Sequence, residues 1–261
     1  MTEPQPNRAF RWTQAPWGVA LVCDPLAEIA PHLFTVGNLQ LRDDPNEWGK
    51  VARAMEVTPE NVRLIRQVHG ATVAFARRGD PQSWTMPEAD AVITDDASAA
   101  IAVRVADCAP VLIADRRLGV VAAVHAGWRG TMQSIVVEGV KALTREFASR
   151  PSDLIAALGP CLGPCCGEVG PEVVDAFRAA GHGQKVLERW FSDGATGRPY
   201  LDLWQANRDQ LVAAGLSEEA VFVAGLCSKT YAGLMHSYRA DGQKAGRMVG
   251  IIRRRAVVRD P

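Results

Sequence analysis

The sequence shows no excess of either charge and no long apolar run, and these two absences exclude whole classes of protein. It has 29 basic and 29 acidic residues, a balance that gives no support for a nucleic-acid or anionic-membrane partner, because such partners favour a basic surface. No apolar run approaches the ~18–20 residues needed to span a bilayer, and the first residues lack the basic start and apolar core of a secretory signal. We therefore expect no nucleic-acid partner and no membrane partner.

Several enzyme signatures are also missing. The chain contains no G-x-x-x-x-G-K-[ST], no G-x-G-x-x-G after a strand-like run, no G-x-S-x-G and no H-E-x-x-H. These absences count against ATPases, dehydrogenases, serine hydrolases and zinc proteases. The six cysteines, without an export signal, favour free thiols in a reducing compartment, so the expected location is the cytoplasm.

What is present is a chain able to fold around a large core. With 261 residues, 48% of them hydrophobic, and no repeat or low-complexity linker, it predicts a single domain over residues 16–258 after a flexible N-terminal arm over residues 1–15. Short apolar runs typical of buried strands recur along the chain. These predicted strands cover residues 18–23, 72–76, 91–94, 100–105, 111–114, 120–125, 154–158, 221–224 and 248–253.

Helical periodicity separates several of these runs. Apolar residues recur at three- and four-residue steps from Met132 onwards, which predicts one amphipathic helix that ends near Ala148. Residues 170–181 have proline near their start and glycine at their end, and residues 202–215 begin with a capping Asp202, so both predict helices. Strands mixed with helices in one continuous chain are typical of an α/β or α+β fold.

Two histidines and one cysteine stand out, because each adjoins an apolar run and a small residue. They are His69 in RQVHG, Cys108 in ADC and His125 in VHAGWRG. Placed at strand ends, two imidazoles and one thiolate form a zinc set whose fourth position is open for water or substrate. The same residues also allow a nucleophile pair in which Cys108 attacks a carbonyl and His125 acts as the base. A third interpretation is a buried structural cysteine and two unrelated histidines.

The segment that follows His125 predicts an anion site. Gly-Trp-Arg-Gly leads into the predicted helix, whose free N–H groups and positive dipole end would then lie beside His125. Arg129 would add a charge-assisted contact to a phosphate or carboxylate. The alternative is an ordinary helix start with a solvated arginine.

Three more cysteines, Cys161, Cys165 and Cys166, fall within six residues of a segment rich in glycine and proline. Their spacing is not C-x-x-C, so structural thiols in a tight loop are favoured over a metal cluster. A second cluster that includes Cys227, which follows another apolar run, stays open.

Seven segments together resemble one known family. They are RQVHG, ADAVIT, VADCAPVLIAD, VAAVHAGWRGT, LGPCLGPCCGEVG, DLWQANRDQL and SYRADGQKAGRM. Their order and approximate separations are similar to those of the YfiH-like family, also called the laccase-domain or multicopper polyphenol oxidase family, from about residue 30 to residue 252. The resemblance implies a single-domain four-layer α/β/β/α sandwich, an architecture shared with cysteine hydrolases of the cytotoxic-necrotizing-factor kind.

The resemblance also implies a function and a site. It suggests a zinc-dependent purine nucleoside phosphorylase for adenosine, inosine and methylthioadenosine, with adenosine deaminase activity, so nucleoside and phosphate would be its partners. The residues that match the family's metal ligands are His69, Cys108 and His125. Catalytic roles fall to Cys108 and Asp107. Substrate-binding roles fall to Arg129, Arg239, Asn38 and Gln67.

Other activities stay open within the same resemblance. An older family label is copper-dependent phenol oxidation, one bacterial branch is linked to peptidoglycan editing, and the related hydrolases use a Cys–His pair on an amide. Five histidines are too few for a four-copper centre, which needs many histidine ligands. A single zinc ion suits the residue inventory and deamination better, with copper as the alternative metal.

The chain departs from the family in one segment. Members carry a longer Gly-rich stretch of the form FTTRxGGVSxGxxxSLNLG before DDP, whereas this chain reads HLFTVGNLQLRDDP. That loop would help to close the site, so its loss predicts a wider pocket, a lid supplied by a partner, or a degenerate member kept as a binding protein. His236 also stands where the family more often has an aromatic residue. The sequence leaves monomer and dimer open.

Overall fold

Two six-stranded sheets and a two-stranded ribbon form the framework of the molecule. A computed structural model describes residues 3–79, 84–194 and 197–256. In these residues the strands are β1 Phe10–Ala15, β2 Gly18–Cys23, β3 His32–Thr35, β4 Val62–Leu64, β5 Val73–Ala76, β6 Ala91–Thr94, β7 Ala100–Val105, β8 Ala109–Asp115, β9 Val121–Ala126, β10 Leu154–Leu158, β11 Phe191–Asp193, β12 Pro199–Leu201, β13 Val221–Val223 and β14 Met248–Arg253. The helices are α1 Asp24–Ala27, α2 Pro45–Ala54, α3 Trp128–Met132, α4 Ile135–Phe147, α5 Pro171–Ala179, α6 Gln184–Trp190, α7 Leu203–Ala213 and α8 Tyr238–Asp241. None of the helices in these ranges has the length and apolar character that crossing a bilayer requires.

The two large sheets pack face to face. The first has the order β1-β2-β3-β14-β7-β4 and the second has the order β13-β10-β8-β9-β6-β5. A buried cluster lies between them and contains Phe34 and Val103 from the first sheet and Leu112 and Ala123 from the second. Burying a Phe, Val or Leu side chain contributes roughly 1.5–3 kcal/mol, so this cluster is the main link between the sheets.

Helices cover the outer face of each sheet. On the second sheet, Val124 packs in one cluster with Ile135 of α4 and Leu211 of α7. On the first sheet, Ile251 packs in another cluster with Val51 of α2. The resulting order of helix, sheet, sheet and helix is a single-domain α/β sandwich with four layers, so the predicted fold class is confirmed.

The hairpin of β8 and β9 carries the centre of the second sheet and positions the functional residues. Every residue of both strands is buried, because both runs are apolar and both faces of the sheet are covered. At the turn, the carboxylate of Asp115 accepts two backbone N–H bonds, both of 2.8 Å. At the other end the register pairs Pro110 with His125, so Cys108 and His125 lie at the same edge of the sheet.

The helix predicted from Met132 to about Ala148 is present as α4, but it begins at Ile135 and is separate from the short helix α3, which the sequence did not predict. Helix α3 ends at Met132, and Ser134 then takes a left-handed φ of 59° before α4 begins at Ile135. A left-handed residue cannot continue a right-handed helix. The helix that starts beside His125 therefore has only 5 residues, and its dipole is correspondingly small.

The predicted flexible arm over residues 1–15 does not describe residues 10–15, which form β1. This strand pairs with β2 along its whole length, from Phe10 opposite Cys23 to Ala15 opposite Gly18. The residues before it also make contacts, since the indole N–H of Trp12 donates to the carbonyl of Pro4 at 2.8 Å. The last two residues of the predicted domain, 257 and 258, lie outside the described residues.

Candidate functional site

Three separate parts of the chain bring His69, Cys108 and His125 together. His69 lies in the loop after β4, Cys108 directly precedes β8, and His125 belongs to β9. Their ligand atoms all lie within 4.8 Å of one another, and the centroids of the two imidazole rings are 4.9 Å apart. The set extends from the exposed His69 to the buried His125, so solvent and small molecules can reach it.

Asp90, directly before β6, organises this set, and the sequence reasoning assigned it no role. Its Oδ1 lies 2.8 Å from Nδ1 of His125. The same carboxylate accepts backbone N–H bonds from His69 at 2.9 Å and from Gly70 at 2.6 Å. Because Nδ1 of His125 faces Asp90, Nε2 is the ring nitrogen left for Cys108 or a metal ion.

Two residues of the site have a left-handed backbone, which costs about 1–3 kcal/mol for a residue other than glycine. They are His69, with a φ of 60°, and Asp107, with a φ of 84°. The backbone N–H groups of His69 and Gly70, which donate to Asp90, hold the first. At the second, the carboxylate of Asp107 accepts bonds from the hydroxyl of Ser228 and the backbone N–H of Arg239, both of 2.6 Å. Asp107, a predicted catalytic residue, thus has both oxygens engaged in holding the segment that presents the neighbouring thiol.

Cys108 and His125 form an ionised pair. Burial by itself raises the pKa of the Cys108 thiol, but the charge of His125 and hydrogen bonds from both histidines outweigh burial and lower that pKa from 9.0 to about 6. Burial lowers the pKa of His125, but the Cys108 thiolate and Asp90 outweigh it and raise that pKa from 6.5 to about 9. At neutral pH the pair is a thiolate beside an imidazolium, which suits nucleophilic attack or, once the imidazolium loses its proton, metal binding.

Gly127 leaves open the space in front of the thiol. Its φ of −75° is one that any residue adopts, so backbone conformation does not demand glycine here. A Cβ at this position, however, would lie 2.7 Å from Sγ of Cys108 and 3.4 Å from Cδ2 of His69. The absent side chain therefore preserves the room that a metal ion or a substrate needs.

A cavity of about 680 Å³ opens at this set, a size in the range of small-molecule sites. Part of its wall is apolar and belongs to the buried cluster around α5, α6 and α7. Another part is basic. The apolar residues include Trp128, Val169, Leu201 and Leu203, and the basic residues are Arg42, Arg66, Arg104, Arg239 and Arg247.

Three of the arginines form a cluster whose charge no carboxylate hydrogen bond neutralises in the described residues. Arg42 donates to the carbonyls of Gln243 at 2.6 Å and Ala245 at 2.7 Å, and Arg247 donates to the same Ala245 carbonyl at 2.9 Å. Arg104 has one carboxylate neighbour, 3.6 Å away on a fully solvated side chain. Burial, followed by the charges of Arg42 and Arg104, lowers the pKa of Arg247. A bound anion would relieve this repulsion.

The four residues predicted to bind substrate fall in different places. Gln67 lines the cavity, but its amide is paired with the backbone of Arg104 in both directions, at 2.7 and 2.9 Å. Arg239 lines the cavity and donates to the carbonyl of Glu168 at 2.7 Å. Arg129 is outside the lining and lies over the ring of Trp128, 4.3 Å from its centroid. Asn38 is also outside it, in a smaller cavity beside His236.

The sequence assigned no role to Asp90 or to the three clustered arginines, and only Asp90 could have been identified from the sequence. Asp90 had a signal, since an acidic residue directly before a buried strand needs a partner. Arg42, Arg104 and Arg247 had none, because they come from three remote segments whose proximity depends on the fold. Arg42 belongs to the shortened segment, which therefore still contributes to the cavity wall.

Comparisons with known proteins agree with this architecture. Residues 40–255 match the family model described as "Multi-copper polyphenol oxidoreductase laccase". A relative from Deinococcus radiodurans, named "Purine nucleoside phosphorylase", is 38% identical over 239 residues, which cover 85% of this chain and 88% of the relative. A relative from an unknown prokaryotic organism, named "Adenosine deaminase RL5", is 34% identical over 78% of this chain and 79% of its own length.

A solved structure shares the whole fold. The crystal structure of the Bacillus licheniformis hypothetical protein YfiH superimposes with a TM-score of 0.83 at 26% sequence identity, over 95% of this chain and 100% of the other. The resemblance to the YfiH-like family that the sequence motifs predicted is confirmed. With most of its length matching one family model and one fold, the chain belongs to the multi-copper polyphenol oxidoreductase laccase family.

Proposed function

We propose that the chain is a zinc-dependent purine nucleoside phosphorylase that also deaminates adenosine in the same cavity. The observation that carries the proposal is the composition of the cavity wall, where the His69–Cys108–His125 set adjoins both an apolar surface and an arginine cluster. A nucleoside and a phosphate need these two surfaces beside one reacting centre. The names of the Deinococcus phosphorylase and of the RL5 deaminase support the same pair of reactions.

The donor set fits a zinc ion. Two imidazoles and a thiolate are ligands that zinc prefers, and the Asp90 carboxylate on Nδ1 of His125 is the outer contact that zinc-bound histidines usually have. The space at Gly127 would be filled by any Cβ. When bound by His69, Cys108 and His125, zinc supplies a Lewis acid with one position left for water or substrate. Copper accepts the same donors, so metal analysis of the purified protein decides between the two.

The protein's own residues account for phosphate binding. In phosphorolysis a phosphate oxygen bonds to C1′ of the ribose as the bond from C1′ to the purine nitrogen breaks, and the departing base takes up a proton. The cluster of Arg42, Arg104 and Arg247 would bind the phosphate, whose negative charge offsets the repulsion among the three guanidinium groups. Trp128 and the apolar residues beside it would take the flat purine. We therefore assign phosphate binding to the arginine cluster rather than to the helix start with Arg129.

Multi-copper phenol oxidation is not favoured by the placement of the histidines. Only His69 and His125 belong to the cavity among the five, all of which lie in the described residues. The other three are each bonded elsewhere. His32 accepts the N–H of Cys23, His182 lies 2.8 Å from the carbonyl of Met132, and His236 lies 2.8 Å from the carbonyl of Leu39.

The test is to incubate adenosine with the purified protein, with and without phosphate, and to separate the products. We expect adenine and ribose 1-phosphate when phosphate is present, and inosine with released ammonia, with or without phosphate, where water attacks C6 of the purine and displaces its amino group. Arg247→Ala should raise KM for phosphate by about tenfold, since one charge-assisted contact is worth roughly 1.5 kcal/mol or more, whereas Arg129→Ala should not. No purine product at high enzyme concentration, from protein shown to contain zinc, would refute the proposal.

A second candidate is an amide hydrolase in which Cys108 is the nucleophile. The contact of His125 with Asp90 favours it, because thiolate, imidazole and carboxylate then follow the order of a catalytic triad. In that case the purified protein would contain no metal, and Cys108 would be alkylated rapidly at neutral pH. About one zinc per chain that protects Cys108 from alkylation would exclude this candidate.

We infer the cellular compartment from the state of the thiols. All six cysteines are free, as expected for a protein of a reducing compartment, so we place this enzyme in the cytoplasm.

A further inference from the structure

A second group of sulfur atoms lies outside the set of His69, Cys108 and His125. The Sγ atoms of Cys165, Cys166 and Cys227 all lie within 4.8 Å of one another. Cys165 and Cys166 end a short 3-10 turn, Pro164–Cys166. Cys227 comes from the segment after β13, and its backbone pairs with Cys161. The sequence spacing favoured isolated structural thiols, but the fold brings two of these three residues to a third that is more than sixty positions away.

Hydrogen-bonding groups surround the three sulfur atoms. The backbone N–H of Gly163 donates to Sγ of Cys227 at 3.3 Å. The hydroxyl of Thr230 lies 3.3 Å from Sγ of Cys165 and 3.6 Å from Sγ of Cys166. Gly163 itself has no room for a side chain, because a Cβ would lie 2.6 Å from the ring of Trp204. The same Cβ would lie 3.2 Å from Cβ of Cys227, so the glycine allows the turn to approach Cys227 closely.

We propose that Cys165, Cys166 and Cys227 bind one Cu(I) ion. Thiolates are soft ligands that select Cu(I) and zinc among biological metals. Structural zinc sites have four protein ligands, whereas the described residues offer no fourth histidine, cysteine or carboxylate here. Three sulfur atoms around one ion, each at about 2.3 Å, lie about 4 Å apart. The observed separations thus need only small side-chain rotations.

The binding step is an exchange of protons for the metal. Each thiol that binds loses its proton to solvent, three S–Cu bonds form, and the copper stays in the +1 state, so no oxidant or reductant is involved. Cys165 is exposed and Cys227 is buried, so an ion would enter from the solvent side and be held at the inner end.

A bound ion would join two segments of the cavity wall. Cys227 precedes Ser228, whose hydroxyl donates to Asp107. On the other segment, the carbonyls of Cys166 and Glu168 accept bonds from the guanidinium of Arg239, at 3.4 and 2.7 Å. The ion would therefore link the loop that holds Arg239 to the loop that holds Asp107. It would not contact His69, Cys108 or His125.

The test uses the full chain with Cys108→Ser, which disables the first set, and Cu(I) delivered without oxygen from a coloured chelator. We expect one Cu(I) to be withdrawn from the chelator per chain, with a thiolate-to-copper absorption in the near ultraviolet. Adding Cys165→Ser, an exposed change that leaves the core intact, should weaken binding about a hundredfold. Cys23→Ala, a buried thiol in another part of the chain, is the control and should keep full binding.

Three results would overturn the proposal. The first is a Cys108→Ser protein that leaves all Cu(I) on the chelator. The second is binding that Cys165→Ser and Cys227→Ser do not alter. The third is a count below five free thiols in that unfolded, oxygen-free variant, which would reveal a disulfide in place of the site. Because the readout is copper binding, none of these results depends on whether the enzyme acts on nucleosides.

Discussion

The two sulfur-containing clusters of this protein are built in opposite ways. In the cluster of His69, Cys108 and His125, a fully buried carboxylate, Asp90, fixes both a histidine ring and the loop that carries the other histidine. Among the residues that the structure describes, no carboxylate joins the cluster of Cys165, Cys166 and Cys227, and its sulfur atoms contact a hydroxyl and a backbone N–H. A carboxylate that orients mixed nitrogen and sulfur ligands is typical of zinc sites, whereas a group made only of sulfur ligands favours a soft metal ion.

The largest effect is expected from Cys108→Ala. Removing the thiolate leaves two histidines, so zinc should be lost and phosphorolysis should fall by about a thousandfold, since the metal supplies several kcal/mol of transition-state stabilisation. Cys165→Ser should keep its zinc. Metal analysis of both purified proteins and the adenosine assay on Cys108→Ala measure this difference. Equal zinc contents in the two variants would show that the clusters have been assigned wrongly.

A smaller effect should follow from Asp90→Asn. The amide keeps the shape but loses the charge that orients His125 and holds the loop of His69, so zinc affinity should drop by about 10–100-fold. Asp115→Asn is the matched control, because Asp115 is also fully buried and also accepts two backbone N–H bonds, at the far end of the same hairpin. Chelator competition measures both affinities. If Asp115→Asn weakens zinc binding as much, the effect is one of general stability.

The space at Gly127 gives a steric test. In Gly127→Ala the new methyl group would meet Sγ of Cys108 at 2.7 Å, so we expect zinc binding to weaken by about tenfold, about 1.4 kcal/mol. In Gly139→Ala, inside α4, the methyl group meets Val124 at an ordinary 3.5 Å, and stability should rise by about 0.4–1 kcal/mol. Zinc affinity and thermal unfolding of the two variants separate these outcomes. Undiminished zinc affinity in Gly127→Ala would place the metal elsewhere.

The mildest test changes only the pH. In metal-free protein the pKa of Cys108 is lowered to about 6, against the effect of its burial, by the charge of His125. Burial and the neighbouring thiols raise the pKa of Cys165 to about 11. A lowered thiol pKa means that the reactive thiolate forms earlier, so alkylation of Cys108 should rise through pH 6 and level off, while alkylation of Cys165 keeps rising far above pH 9. Peptide mass spectrometry after timed alkylation follows both residues, and a midpoint for Cys108 near 9 would contradict the ion pair.

The sequence predicted much of the fold because several strands are buried on both faces. Strands β2, β6, β7, β10 and β14 match the predicted runs at both ends, since a run of four to six residues that is apolar at nearly every position leaves few other interpretations. β1 was missed because Phe10–Ala15 mixes polar and apolar residues at the edge of a sheet. The break at Ser134 was missed because helical periodicity on both sides hides a single left-handed residue.

The candidate site was predicted less completely than the fold. The candidate set of His69, Cys108 and His125 could be proposed from the sequence because histidine and cysteine beside apolar runs carry a chemical signal of their own. The phosphate-binding role was given to Arg239, which lines the cavity, and to Arg129, whose side chain the fold places over Trp128, outside the cavity wall. Arg42 and Arg247 could not replace it at that point, because more than two hundred residues separate them along the chain. Their meeting depends on the carbonyl of Ala245, which bonds to both.

The most direct test of the central claim is zinc-edge X-ray absorption on the protein purified without added metal. We expect two nitrogen neighbours at about 2.0–2.1 Å and one sulfur neighbour at about 2.3 Å, with an oxygen neighbour completing four-coordination. In Cys108→Ser that sulfur should disappear. A zinc ion surrounded by three or more sulfur atoms would contradict the claim, because it would put the metal at Cys165, Cys166 and Cys227 and leave the thiolate of the cavity free.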